Sequence, residues 1–200
     1  MLDDGLPERA AAAAWLLLAP PDPALLAALM PLAEAPLDAE RSRQDFYDFL
    51  CVTQSGCYIP PYAHVLARGE WNGEYWHFPP PRYDGGDALR PWYDAAGFDP
   101  ASLQADPLIA GANRPLDHAG FVLAFLAGLL EQARAEPAGT IVVRGFVAEH
   151  LGPWVDLMSE LLAMSGSPYI ALVGVGLHEL VADMRTEFAP AEASAEEGVA

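Results

Sequence analysis

Pro115-Leu116-Asp117-His118 runs straight into Ala119-Gly120-Phe121-Val122-Leu123-Ala124-Phe125-Leu126-Ala127-Gly128-Leu129-Leu130, and this stretch decides the fold. Its second part is apolar at every position. A helix with one face in water cannot be, so the segment is read as a central helix surrounded by protein. Pro115 presets a helical φ and has no N–H to leave unpaired, so it is expected at the first turn. Asp117 then falls where outward-pointing N–H groups and the helix dipole favour negative charge. Two readings stand for Asp117 and His118: a helix cap with its hydrogen-bonded neighbour, or a polar binding mouth on an otherwise apolar helix.

Outward from that helix, helical signals recur on both sides. Pro7 to Ala19 reads as an Ala-rich first helix with Trp15, Leu16 and Leu18 available for packing. Asp22-Pro23 is an N-cap followed by a proline at the first helical position, and Leu25, Leu26 and Leu29 form a stripe before Pro31. Asp38 to Val52 is expected to bury Phe46, Phe49 and Leu50 behind a solvated front half, Glu40 to Gln44. Tyr58-Ile59-Pro60-Pro61-Tyr62 breaks the pattern, with one further turn from Ala63 to Ala67. Leu89 to Ala96 reads as a short helix ended by Gly97. Thr140 is expected to cap a helix from Ile141 to Leu151, Gly152-Pro153 to restart one carrying Trp154, Leu157, Met158, Leu161 and Leu162, and Ser167-Pro168 to begin the last. In that last helix Tyr169, Val173, Leu177, Leu180 and Met184 keep helical spacing.

One stretch resists this reading. Residues 68–87 hold Trp71, Tyr75, Trp76, Phe78 and Tyr83 among glycines and Pro79-Pro80-Pro81. Aromatics in such company suggest a loop that packs on the body and borders a binding groove. With no internal repeat and no strand or hairpin signal, the fold class is all-α: a single-domain helical bundle over residues 1–188, followed by an acidic tail, 189–200, expected to be disordered.

Bulk composition narrows function. The 200 residues suit one domain, and 52% of them are apolar, which argues against disorder. Ten basic against 28 acidic residues give a formal charge of −18. That field repels nucleic acid and anionic membranes and attracts a cationic peptide. Asp3, Asp4 and Glu8 stand before the apolar run Ala10 to Leu18 where a signal peptide would carry basic residues. No run reaches the roughly 18 apolar residues that span a bilayer, so no stable membrane insertion is expected. Cys51 and Cys57 are too few for a disulfide framework and fit a reducing cytoplasm.

Catalytic and metal patterns fail one by one. His178-Glu179-Leu180-Val181-Ala182 opens like a zinc-protease helix but has Ala182 where the second histidine belongs. Glu74-Tyr75-Trp76-His77 has the spacing of a di-iron half-site, and it occurs once, outside a helix. Gly174-Val175-Gly176 lies within a helix and cannot cradle phosphate. The chain is expected to have no metal, no cofactor and no catalysis of its own. The enzyme alternative is a helical hydrolase using Asp117, His118 and His150.

A family resemblance rests on several of these residues. Pro115-Leu116-Asp117-His118 resembles the Pro-x-Asp-His motif of the TorD/DmsD/NarJ chaperones of bacterial molybdoenzymes. Phe146-Val147-Ala148-Glu149-His150-Leu151-Gly152-Pro153-Trp154 resembles their Glu-His-Leu then Trp pattern, and Ser167-Pro168-Tyr169 the start of their final helix. Phe46-Tyr47-Asp48-Phe49-Leu50 and Tyr93-Asp94-Ala95-Ala96-Gly97-Phe98 fall in the family's order. The similarity covers about residues 40 to 187. It departs at His64, where the family often has serine, and in the length of the aromatic insert.

The resemblance implies a TorD-like fold and a cytoplasmic, cofactor-free chaperone, monomer or homodimer. Its partners would be the catalytic subunit of a molybdenum-cofactor oxidoreductase and that subunit's twin-arginine signal peptide, held until the cofactor is inserted before export. It implies peptide contacts at Pro115, Asp117, His118, Phe121, His150 and Trp154, with Tyr62, His64, Trp71 and Trp76 along a groove. The alternative within the same class is an assembly factor for a membrane-anchored oxidoreductase whose subunit is not exported and presents no leader.

Overall fold

The computed structural model describes residues 5–111 and 114–188. Asn113 and the tail from residue 189, expected to be disordered, lie outside the described residues. The elements are α1 (Leu6–Leu18), α2 (Pro23–Leu29), α3 (Ala39–Leu50), α4 (Ala63–Leu66), β1 (Glu70–Trp71), β2 (Trp76–His77), α5 (Arg90–Ala96), α6 (Ala119–Ala135), α7 (Thr140–Phe146), α8 (Gly152–Ala163) and α9 (Pro168–Glu187). The all-α expectation holds. At the centre, α6 buries Phe121, Val122, Leu123, Phe125, Leu126, Leu129 and Leu130. Each such side chain contributes about 1.5–3 kcal/mol relative to exposure. Its open positions are Ala124, Ala127 and Gly128, and, in its last turn, Glu131, Gln132, Arg134 and Ala135.

Along α6 lies α1, and α8 packs along α9. Glycines set both crossings. A Cβ on Gly120 would fall 2.5 Å from Leu18 Cγ, and one on Gly174 would fall 2.2 Å from the Ala163 nitrogen. Asp22, Asp38 and Ser167 cap α2, α3 and α9, each accepting from the backbone N–H three residues on. Gly97, at φ +64°, closes α5 as its position predicts.

Several boundaries differ from the sequence reading. Pro115 lies ahead of α6 rather than in its first turn, because the chain first pairs as extended backbone: Tyr62 and His118 form an antiparallel bridge, and Ala119 N donates to Pro61 O at 2.7 Å. Thr140 does not cap α7. It is the first residue of that helix and follows a 3₁₀ turn, Pro137–Gly139. The helix expected through Leu151 opens into a π turn, Val147–Leu151, because Pro153 has no N–H to continue the i→i−4 ladder. The front half of α3 is not wholly solvated. Ser42 and Asp45 are buried, and Asp45 Oδ2 accepts from Ser167 Oγ at 2.6 Å, fastening the cap of α9. Arg41 Nε lies 2.8 Å from Asp45 Oδ1 but off the hydrogen-bonding direction, an ion pair only.

The stretch 68–87 contains a hairpin that the sequence reading did not expect. Glu70 pairs with His77 and Trp71 with Trp76. Asn72 turns the chain by accepting from the N–H groups of Glu74 and Tyr75, and Gly73 supplies φ +99°. Strands of two residues are too short for any alternation to show. Trp76 stacks on Phe78, which packs against the core, whereas Trp71, Tyr75 and Tyr83 stay exposed.

Candidate functional site

Two proline-disrupted segments build the site. Pro60 and Pro61 keep the chain extended up to α4, and α4 begins with no side-chain cap of its own. Asp117 supplies it from across the structure. Its carbonyl accepts from Ala63 N at 3.0 Å, and its Oδ2 accepts from His64 N at 2.6 Å. The same Oδ2 lies 2.7 Å from His64 Nδ1. Because His64 Nε2 accepts from Arg82 N at 2.9 Å, the imidazole proton sits on Nδ1 and points at Asp117. Tyr93 Oη donates to Leu116 O and steadies the turn.

Glycines make this clamp fit. A Cβ on Gly85 would meet the His64 ring at 2.3 Å, and one on Gly86 would meet Asp117 N at 2.5 Å. Both glycines read as loop punctuation in the sequence; they are the floor on which His64 and Asp117 rest.

One oxygen of Asp117 is thus saturated, and the other is not. Asp117 Oδ1 is buried without a hydrogen-bond partner, in a residue 3% exposed. A buried carboxylate oxygen is costly without a donor, so a further donor that reaches it gains free energy. Asp117 is among the residues that line a cavity of about 150 Å³, with His64, Gly86, Glu149, His150 and Trp154. The two motif regions, far apart in sequence, therefore meet in one cavity.

The π turn presents the second motif. It swings His150 against Trp92 and Phe146, with ring centroids 5.5 and 5.3 Å away. Trp154 Nε1 donates to His150 O and ties the turn to α8. Burial lowers the His150 pKa, and Glu149 opposes the shift. His150 Nε2 lies 3.3 Å from Glu149 Oε1 without hydrogen-bonding geometry and has no other partner.

His118 stands behind the cavity rather than in it. Its Nδ1 accepts from Gly120 N and caps α6, its ring meets Tyr62 and Phe121, and burial pushes its pKa down to about 3. Phe121 borders a different hollow with Leu116 and Arg114. Tyr62 and Pro115 line a neighbouring cavity of about 250 Å³ with Arg82 and Arg114. Trp71 and Trp76 lie on the hairpin. The sequence reading missed Gly85, Gly86 and Arg82 as parts of the site. The paired glycines beside the aromatic run were the available signal.

The cavity presents two carboxylates, two imidazoles and an apolar wall. His64 resembles the orienting half of a catalytic triad, but its second nitrogen already accepts from Arg82 N and cannot take a proton from a nucleophile. The lining has no serine, threonine, cysteine or lysine. Among the described residues no group of three or more His, Cys, Asp or Glu side chains could hold a metal, and no helix is long and apolar enough to cross a membrane.

Residues 18–160 match the nitrate reductase delta subunit family, which includes both motifs that meet in the cavity. The chain belongs to that family. It is the NarJ/TorD-type group of molybdoenzyme maturation chaperones, whose members bind molybdoenzyme catalytic subunits. The match begins earlier than the resemblance at residue 40 and ends before α9, so Ser167-Pro168-Tyr169 falls outside it. No curated protein and no solved structure matches the chain.

Proposed function

We propose that this delta-subunit-family chain holds the twin-arginine signal peptide of a molybdenum-cofactor oxidoreductase, on the cytoplasmic side, until the cofactor is inserted. What supports the reading above all is Asp117 Oδ1, buried and unpartnered in a residue that lines a cavity. A guanidinium brings donors in a fixed fork and satisfies such an oxygen. Glu149 at the rim adds a second acceptor, and Trp154 and Leu89 give the arginine stem an apolar wall. The leader's apolar stretch would lie over the hairpin, where Trp71 and Tyr75 are exposed. The charge of −18 steers the encounter.

A second reading places a segment of the catalytic subunit itself in the cavity, in an oxidoreductase that is not exported. The family's description supports it, since it names a reductase subunit and not an export factor.

The test is a double-mutant cycle by calorimetry between Asp117→Asn and a leader whose two arginines are replaced by glutamine. Coupling of the two losses is expected, about 10-fold to 100-fold each. Simple additivity would remove Asp117 as the arginine's partner. Tight binding of leaderless catalytic subunit, with no binding of the leader peptide, would install the second reading.

A further inference from the structure

We propose that the outer face of α9, together with facing sides of α1, α2 and α8, is a second docking surface that takes a basic amphipathic helix of a partner protein. Two cavities meet there. One, of about 310 Å³, lies between α1, α2 and α9 and includes Leu16, Leu29, Leu32 and Leu172. The other, of about 480 Å³, lies between α8 and α9 and includes Met164 and Ala163. Val175 lines both, so they adjoin as one trough across α9, whose walls carry Arg9, Asp156, Ser159 and His178 beside the apolar residues. Leu32 is 69% exposed and Met164 76%. The trough shares no lining residue with the cavity at Asp117, and α9 lies beyond Glu160, the last residue that matches the family.

Gly176 gives the trough its depth. A glycine in a helix interior destabilises it relative to alanine, so it needs a reason. Gly174 has one, because the backbone of α8 fills the space of its side chain. Gly176, like Gly128 in α6, has none among the described residues. A Cβ there would meet nothing within 4 Å, and the residue is exposed on the wall of the first cavity. The bare backbone lets a second helix approach closely, at the separation where helix ridges interlock.

Charge selects the occupant. Glu160 stands at the edge of one cavity and Glu179 at the edge of the other. Neither has an ion pair among the described residues, whereas Asp156 and Asp183 are neutralised by Arg185 and Arg9. A second copy of this chain would bring the same unpaired acids and another −18 of charge. An anionic membrane is repelled for the same reason. A helix with leucines on one face and lysines or arginines beside them gains on both counts. Individually weak, exposed pairs of this kind choose the partner more than they set affinity.

The probe is a fluorescein-labelled 18-residue peptide with leucines spaced as i, i+3, i+4, i+7 and lysines elsewhere, titrated by anisotropy onto the intact chain. A glutamate-for-lysine version is the control. The lysine peptide is expected to bind at least about 10-fold more tightly than the glutamate peptide and to protect α9 around Val175 from hydrogen exchange. Gly176→Leu fills the trough with a good helix former; it is expected to weaken binding at least about 10-fold while the Tm stays or rises. Asp117→Asn is expected to leave this binding unchanged. Unaltered binding by Gly176→Leu, no binding of the lysine peptide, or protection confined to Ala63–Ala67 and Gly85–Leu89 overturns the proposal. So does a dimer in sedimentation that becomes monomeric on Gly176→Leu, since a second copy would then be the occupant.

Discussion

The carboxylate of Asp117 caps the helix that begins at Ala63, not the helix two residues after it. That displacement leaves its other oxygen without a hydrogen-bond partner, in a residue that lines a cavity. Had Asp117 capped its own helix, His64 would have no carboxylate to hold its ring. The relationship also separates structural from recognition roles in one side chain. Asp117→Asn retains an oxygen for His64 and places an amide where the orphan oxygen stands. Its chemical-denaturation stability is expected to stay within about 0.5 kcal/mol of wild type or to rise. Asp117→Ala removes both bonds to His64 and is expected to cost about 1–3 kcal/mol. A large loss in the asparagine variant would contradict the assignment of the unpaired oxygen.

Gly86 and Gly128 make a matched pair for calorimetry. At Gly86 a methyl group would meet the backbone of Leu116 and Asp117 at 2.5–2.6 Å. Gly86→Ala is expected to destabilise by about 1–3 kcal/mol, as overpacking does. At Gly128, in α6 with open space around it, Gly128→Ala is expected to stabilise by about 0.5–1 kcal/mol. Equal effects at the two sites would mean that the floor of the clamp can yield.

His118 sets a pH dependence. Burial lowers its pKa from 6.5 to about 3. Above pH 6.5 the imidazole is neutral whether the chain is folded or not, and its contribution is complete. Below that, the unfolded chain binds a proton that the folded chain refuses, so stability falls by about 1.4 kcal/mol per pH unit until the folded pKa is reached. His118→Asn caps without titrating. The difference in unfolding free energy between the two proteins, followed from pH 7 to pH 4, is expected to move in favour of the variant. A constant difference would show that His118 is not held neutral.

The hairpin answers to hydrogen exchange. Trp71 and Tyr75 are more than half exposed and do little for the fold, so Trp71→Ala is expected to change stability by less than about 0.5 kcal/mol. Adding a leader peptide is expected to protect residues 70–77, with a blue shift of tryptophan emission that Trp71→Ala reduces. Protection elsewhere with no change at the hairpin would remove it from the binding surface.

The sequence by itself determined the helices and the core. Proline, aspartate, serine and glycine at the ends of α2, α3, α5 and α9 act through neighbours three or four residues away, and the apolar run of α6 has only one way to avoid water. It also carried the family, through motifs in a fixed order. What it left open was where those motifs point. Pro115 and Asp117 looked like the start of α6 because local rules favour it, yet the bridge between Tyr62 and His118 moved that start to Ala119. Asp117 meets His64 from 53 positions away, and His150 joins the same cavity from another segment again, beyond the reach of any spacing rule. Gly85 and Gly86 are required by rings and backbone that arrive from elsewhere, and Asp45 is buried because Ser167 reaches it from α9. Local hydrogen bonding wrote the elements; packing between distant segments decided which buried polar atoms were paired and which, Asp117 Oδ1 among them, were not.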